Sequence, residues 1–117
     1  MDRYVRLAVI GTGRIGKLHV ENIVCSIPQA KLIGVADIDH ASATEVAGRF
    51  GIPLAVADYG ELLNRPELEA IVICSATNTH AQIIQDASQA GKHIFCEKPI
   101  DFDLSRIDQT LAMVADA

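Results

Sequence analysis

The chain has 117 residues, enough for one domain with a hydrophobic core but short for a large two-domain enzyme. Half of the residues are hydrophobic and 21% are charged, which excludes a disordered chain. The formal net charge of −5, with no clustered run of Lys and Arg, argues against general nucleic-acid affinity. Residues 1 to 10 lead straight into an apolar run with no signal-peptide pattern, and no apolar run is long enough to span a bilayer. A soluble, cytoplasmic protein is expected.

The first predicted strand is the apolar run Leu7 to Ile10, and it stops at Gly11. Gly13 and Gly16 follow and open a segment of helical period from Arg14 to about Ser26, ended by Pro28. Ile15, Leu18 and Ile23 are expected to face the sheet, and His19 to be a packed or partly exposed histidine. A second strand, Lys31 to Ala36, leads to Asp37.

Strand, glycine turn, helix, strand and acid is the order of a dinucleotide-binding βαβ unit. Each part has a mechanical task. Gly11 permits a sharp turn, Gly13 leaves room for a pyrophosphate against the backbone, and Gly16 lets the helix pack close. The N–H groups at the helix start, near Arg14 and Ile15, face the phosphate charge. Asp37, 21 residues after Gly16, can accept hydrogen bonds from the adenosine ribose hydroxyls. A 2′-phosphate there would meet like charge, so NAD is expected rather than NADP. Ile38, in place of an arginine, agrees.

Further along, Asp39 is an N-cap for a helix from about Ala41 to Phe50, with Gly51 and Pro53 as stop signals. A short strand, Leu54 to Ala57, precedes a helical turn over Tyr59 to Asn64 that would bring Leu62 and Leu63 onto the sheet. Ala70 to Cys74 is a β-branched apolar run, read as a strand buried on both faces. The loop Ser75-Ala76-Thr77-Asn78-Thr79-His80 leads into a helix ending at Ala90 and Gly91. The strand His93 to Cys96 then runs into Glu97-Lys98-Pro99, and Asp103 can cap a last helix through Leu104, Ile107, Leu111 and Val114.

Strands alternating with helices imply an α/β fold: a doubly wound Rossmann-type parallel sheet in the order 3-2-1-4-5. In such sheets ligands bind beyond the carboxyl ends of the strands. Four polar segments fall there, namely Gly11 to Gly16, Asp37, Ser75 to His80, and Glu97 to Pro99, and they would converge on one crevice. Cys25, Cys74 and Cys96 are odd in number and widely spaced, fitting neither a zinc pattern nor a disulfide framework, so free, mostly buried, reduced thiols and no metal are expected.

The segment Ala90-Gly91-Lys92-His93-Ile94-Phe95-Cys96-Glu97-Lys98-Pro99 resembles the signature of the glucose–fructose oxidoreductase / inositol dehydrogenase / MocA family. That signature accompanies a glycine fingerprint near the N-terminus and a Thr-x-x-His-like loop, here Thr77 to His80. The match runs through the whole chain, which resembles inositol 2-dehydrogenase-like members of the family. The resemblance implies oxidation of an alcohol carbon of a sugar or inositol-like polyol by hydride transfer to NAD. It assigns Lys98 to the substrate hydroxyl and its proton, and Glu97 to the nicotinamide end. Ser75, Ala76, Thr77, Asn78 and His80 would border the cofactor.

Family members continue into a second α/β domain bearing an Asp and a His for proton transfer and most sugar contacts. Nothing in this sequence corresponds to that domain. The reading is therefore of the cofactor half of an oxidoreductase, residues 1–117, with the substrate domain absent and this chain alone inactive. A bare sheet edge at His93 to Cys96 would favour a homo-oligomer. The competing reading is a non-catalytic module that holds NAD as a sensor or scaffold. Retention of Glu97-Lys98-Pro99 favours the enzyme, because a pure binder has no use for a lysine directed at substrate.

Overall fold

The structure, a computed structural model, describes residues 5–27 and 29–96, apart from the side chains of Thr77 and Cys96. Its elements are β1 (Val5–Ile10), α1 (Arg14–Ser26), β2 (Ala30–Ala36), α2 (His40–Phe50), β3 (Leu54–Val56), α3 (Gly60–Leu63), β4 (Ala70–Ile73), a 3-10 turn (Thr77–Thr79), α4 (His80–Gln89) and β5 (His93–Cys96). All strand pairs are parallel and the order is β3-β2-β1-β4-β5, as expected from the alternating pattern. Boundaries agree with the sequence reading to within two residues, α3 being one residue shorter at each end than the turn expected over Tyr59 to Asn64. The helix expected from Asp103 lies outside the described residues.

Because side chains alternate across a strand, β1 and β4 each feed two cores. Ala8, Ile10, Ile71 and Ile73 meet Leu62 and Leu63 of α3 and Ile83 and Ala87 of α4. Val9, Val35 and Val72 meet Val20 and Ile23 of α1 and Ala43, Val46 and Ala47 of α2. A sheet buried on both faces explains why its strands read as continuous apolar runs. A bulge between Leu7 and Ala8 shifts the pairing, so that Leu7 lies opposite Leu32 while Ala8 lies opposite Gly34.

Helix α1 corrects one expectation. Gly16, Val20 and Ile23 form its buried face, whereas Ile15 and Leu18 are 44% and 52% exposed. At about 100° per residue, Ile15 and Leu18 lie well round the helix from that face. The decisive residue is Gly16: it seats against the glycine turn and draws its own side of the helix inward. A second correction concerns the thiols, since Cys25, on α1, is exposed, while Cys74 is half-buried; neither is in a disulfide. Among the described residues no helix is long and apolar enough to cross a membrane.

Candidate functional site

Strand register builds the site. Ile10 pairs with Ala36 and with Ile73, and Ala36 pairs with Val56, so four strand ends form one row across the sheet. The ladder then runs one residue further. Gly11 N–H donates to the Ala36 carbonyl at 2.7 Å, Cys74 N–H to Ile10 at 2.7 Å, and Asp37 N–H to Val56 at 3.0 Å. Beyond this row lies a crevice of about 340 Å³ whose walls include Gly11, Gly13, Asp37, Ile38, Tyr59 and Ser75. It sits where the chain reverses from β1–β2–β3 to β4–β5, the switch point of an open α/β sheet.

The three glycines of the turn do different things. Gly11 has φ +99°, and a Cβ there would come within 2.5 Å of the Ser75 amide nitrogen. It is required both by its conformation and by the passing β4 loop. A Cβ on Gly16 would lie 1.8 Å from the Gly11 carbonyl oxygen, so the turn and the helix lock together through the missing methyl. Gly13 is the N-cap of α1, has an ordinary φ of −72°, and has nothing within 4 Å of its virtual Cβ. Its bareness serves no packing need of the fold. It keeps open a space in front of a helix start that has no side-chain cap, where unpaired N–H groups attract anionic oxygen.

Asp37 points back at that turn. Its Oδ2 accepts from the Thr12 N–H at 2.7 Å and the Thr12 hydroxyl at 2.8 Å, and its Oδ1 accepts from the Asp39 N–H at 2.9 Å. Burial pushes the carboxyl up, but the Thr12 and Asp39 N–H groups and the Thr12 hydroxyl outweigh it and hold Asp37 below its ordinary value of 3.8. It is therefore a fixed anion at neutral pH. A carboxylate offers about four acceptor positions, so a position remains for a hydroxyl in the crevice. A glycine cradle for phosphates with a carboxylate acceptor beside it fits the adenosine and pyrophosphate portions of NAD.

Thr12 was not singled out from the sequence. It is fully buried, and its hydroxyl also contacts the Ser42 hydroxyl of α2 at 2.7 Å. A polar residue between the first two glycines was the available signal, but its partners lie 25 and 30 residues away.

The Ser75–His80 loop forms the opposite wall. Ser75, Ala76 and Thr79 line the crevice, and the loop is held by a Ser75–Thr79 hydroxyl contact of 2.7 Å and a Thr79 hydroxyl bond to the Ala76 carbonyl at 2.6 Å. His80, expected beside the cofactor, is only 3% exposed and does not line the crevice. Its Nε2 contacts the Ser75 carbonyl at 2.7 Å, and since a carbonyl only accepts, that nitrogen carries the hydrogen. The ring supports the loop from behind, and Asn78 is exposed beside it.

The Arg14 and Ile15 side chains border a different groove, shared with Leu18 and Phe50, and only their backbone stays at the helix start. Tyr59 lines the crevice, its hydroxyl donating to Asp86 Oδ2 at 2.5 Å. Burial and that carboxylate push the phenol up to about 12. Glu97 and Lys98 lie outside the described residues, directly after Cys96, which pairs with Ile73.

Sheet order, glycine cradle and acid together define a dinucleotide-binding Rossmann domain. Residues 5–117 match the model of the GFO/IDH/MocA oxidoreductase family, NAD-binding Rossmann fold. The chain belongs to this family and is its NAD-binding domain. It is 44% identical over 114 residues to the uncharacterized oxidoreductase YrbE of Bacillus subtilis (strain 168), covering 97% of this chain and 33% of that protein. It is 42% identical over 112 residues to the inositol 2-dehydrogenase of Rhizobium meliloti (strain 1021), covering 96% and 33%. The crystal structure of scyllo-inositol dehydrogenase from Lactobacillus casei with bound NAD(H) and scyllo-inositol superposes with a TM-score of 0.80 at 30% identity, covering 97% of this chain and 34% of that one. The chain thus spans about a third of the length of the relatives it matches.

Proposed function

We propose that this chain is the cofactor-binding part of a dehydrogenase that oxidises a secondary alcohol of an inositol or a related polyol. The single observation that carries the cofactor reading is the Asp37 carboxylate, held ionised at the end of β2 beside the glycine turn. Gly11, Gly13 and Gly16, with the backbone of Arg14 and Ile15, would hold the pyrophosphate. Asp37 would hold the adenosine ribose, and Ser75, Ala76, Thr77 and Asn78 would border the nicotinamide half, with His80 bracing them. NAD bound there supplies the hydride acceptor. Glu97 would steady Lys98, whose ammonium would stabilise the negative charge that develops on a substrate oxygen as its proton leaves. The inositol reading is supported by relatives that are inositol dehydrogenases by name, among them those of Rhizobium meliloti and Bacillus subtilis. Cytoplasmic location and self-association belong to the same proposal; the 41% exposure of Phe95 on β5 supports the latter.

Titration of the chain with NADH and NADPH, read by nicotinamide fluorescence, tests the cofactor reading. NADH is expected to bind more tightly, and Asp37→Ala to weaken NADH about ten- to hundred-fold, the loss of a charged hydrogen-bond partner. Equal affinity for NADPH removes the role given to Asp37. In a protein that also carries a substrate domain, Lys98→Met should leave NADH affinity nearly intact while inositol oxidation collapses. Retained turnover removes Lys98 from the chemistry.

A further inference from the structure

Thr12 joins three parts of the fold, and proton counting fixes the direction of the bonds around it. A carboxylate has no hydrogen to give, so the Thr12 hydroxyl spends its one proton on Asp37 Oδ2, 2.8 Å away. In the 2.7 Å contact between the Thr12 and Ser42 hydroxyls, Thr12 must then accept and Ser42 donate. The Ser42 Oγ also lies 3.2 Å from the Thr12 carbonyl, so both acceptors open to its proton belong to the same residue. Ser42 in turn stands in the first turn of α2, tied to the N-cap Asp39 through its own N–H, 3.0 Å from the Asp39 carbonyl and 3.4 Å from Oδ1. Asp39 N–H closes the circuit onto Asp37 Oδ1. The start of α2, the glycine turn and the acid are one ring of bonds around a threonine with no exposure to solvent.

We propose that Ser42, acting through Thr12, is a positioning residue that holds the Asp37 carboxylate for a ribose 2′-hydroxyl and so sets the preference for the unphosphorylated dinucleotide. Ser42 does not line the crevice and reaches the ligand only through two other side chains. Donation into the Thr12 oxygen polarises the Thr12 O–H toward Asp37, because bonds in a buried chain reinforce one another. It also fixes the rotor of Thr12. Without the Ser42 hydroxyl, the Thr12 oxygen loses the donor that seats and polarises it, and its bond to Asp37 Oδ2 is weaker and less firmly placed. The carboxylate is then less firmly aimed at a hydroxyl and less firmly placed against a phosphate. The inference rests on the NAD reading of the site and adds the device that sets its selectivity.

The test compares NADH and NADPH dissociation constants for the unaltered chain, Ser42→Ala, Thr12→Val and Thr12→Ser, with thermal unfolding of each as a check on folding. Ser42→Ala is expected to weaken NADH about five-fold, the loss of one hydrogen bond, while NADPH is weakened less or not at all, so the ratio between the two falls. Thr12→Val should lower the ratio further, and Thr12→Ser, which keeps the hydroxyl, should restore most of it. A merely structural role would weaken both dinucleotides equally, because both share the pyrophosphate cradle. An unchanged ratio in Ser42→Ala overturns the proposal while leaving the NAD reading intact. Failure of the unaltered chain to take up NADH removes both. If Thr12→Val does not fold, the Ser42→Ala ratio alone decides.

Discussion

Single atoms decide what each glycine of the turn is for. A methyl on Gly16 would sit 1.8 Å from the Gly11 carbonyl oxygen, so Gly16→Ala must move either the turn or the helix. We predict a loss of about 3 kcal/mol or more, seen as a lower unfolding midpoint. Gly13→Ala meets nothing and should cost the fold about 1 kcal/mol or less, the price of a poorer N-cap, yet it should sharply weaken NADH because its methyl stands where the phosphates belong. Equal effects of the two on stability would refute this division. Asp37 adds a pH signature. Its pKa is lowered in the folded chain, so its bonds contribute full stability above the ordinary value of 3.8 and lose it as pH falls through the lower folded value. Asp37→Asn should therefore flatten the acid limb of a stability–pH curve below 3.8. The three glycines and the acid were legible in the sequence because their spacing is local. Thr12 and Ser42 were not, because a hydroxyl's role depends on partners brought in from other elements.

Elements carry the site by where they end and what they rest on. Lys92, inside the Ala-Gly-Lys segment, donates from its Nζ to the carbonyls of Arg65 and Leu68, both at 2.8 Å. It pins the loop entering β4 to the loop entering β5. Its place in the signature is thus explained by support of the sheet. Lys92→Met keeps the apolar stem and should cost about 1–3 kcal/mol, mainly from unpaired carbonyls, with NADH affinity of the folded fraction unchanged. Chemical denaturation with and without NADH checks both halves. Helix faces were less legible than helix limits. Gly51 at φ +69° ends α2, and Asp39 begins it, as local signals require. The face of α1 was misread because Ile15 and Leu18 look like core by hydrophobicity alone, whereas the backbone lock at Gly16 decided the rotation.

At the scale of the molecule, site and core are two ends of the same strands. Ile10, Ala36 and Ile73 are buried, and the residues one step beyond them meet the crevice. A ligand clasped there links Gly11, Asp37 and Ser75, from three separate strand ends, and should stabilise the whole domain. NADH at about 100 times its dissociation constant should add about 2.7 kcal/mol and raise the unfolding midpoint by about 10 °C for a chain of this size. An unchanged midpoint at saturation would sink the cofactor reading. Sedimentation of the chain at high concentration tests self-association, and a clean monomer would count against it. The sequence by itself determined the element order, the parallel sheet, the family and the chemistry of the rim, because period, glycine spacing and an acid at a set distance are properties of a linear string. Tertiary structure alone decided which face of α1 is buried, that His80 braces the loop, and that Thr12 and Ser42 hold Asp37. Those outcomes depend on which atoms the fold brings within about 3 Å of one another, whether five residues apart, as His80 and Ser75, or thirty, as Thr12 and Ser42.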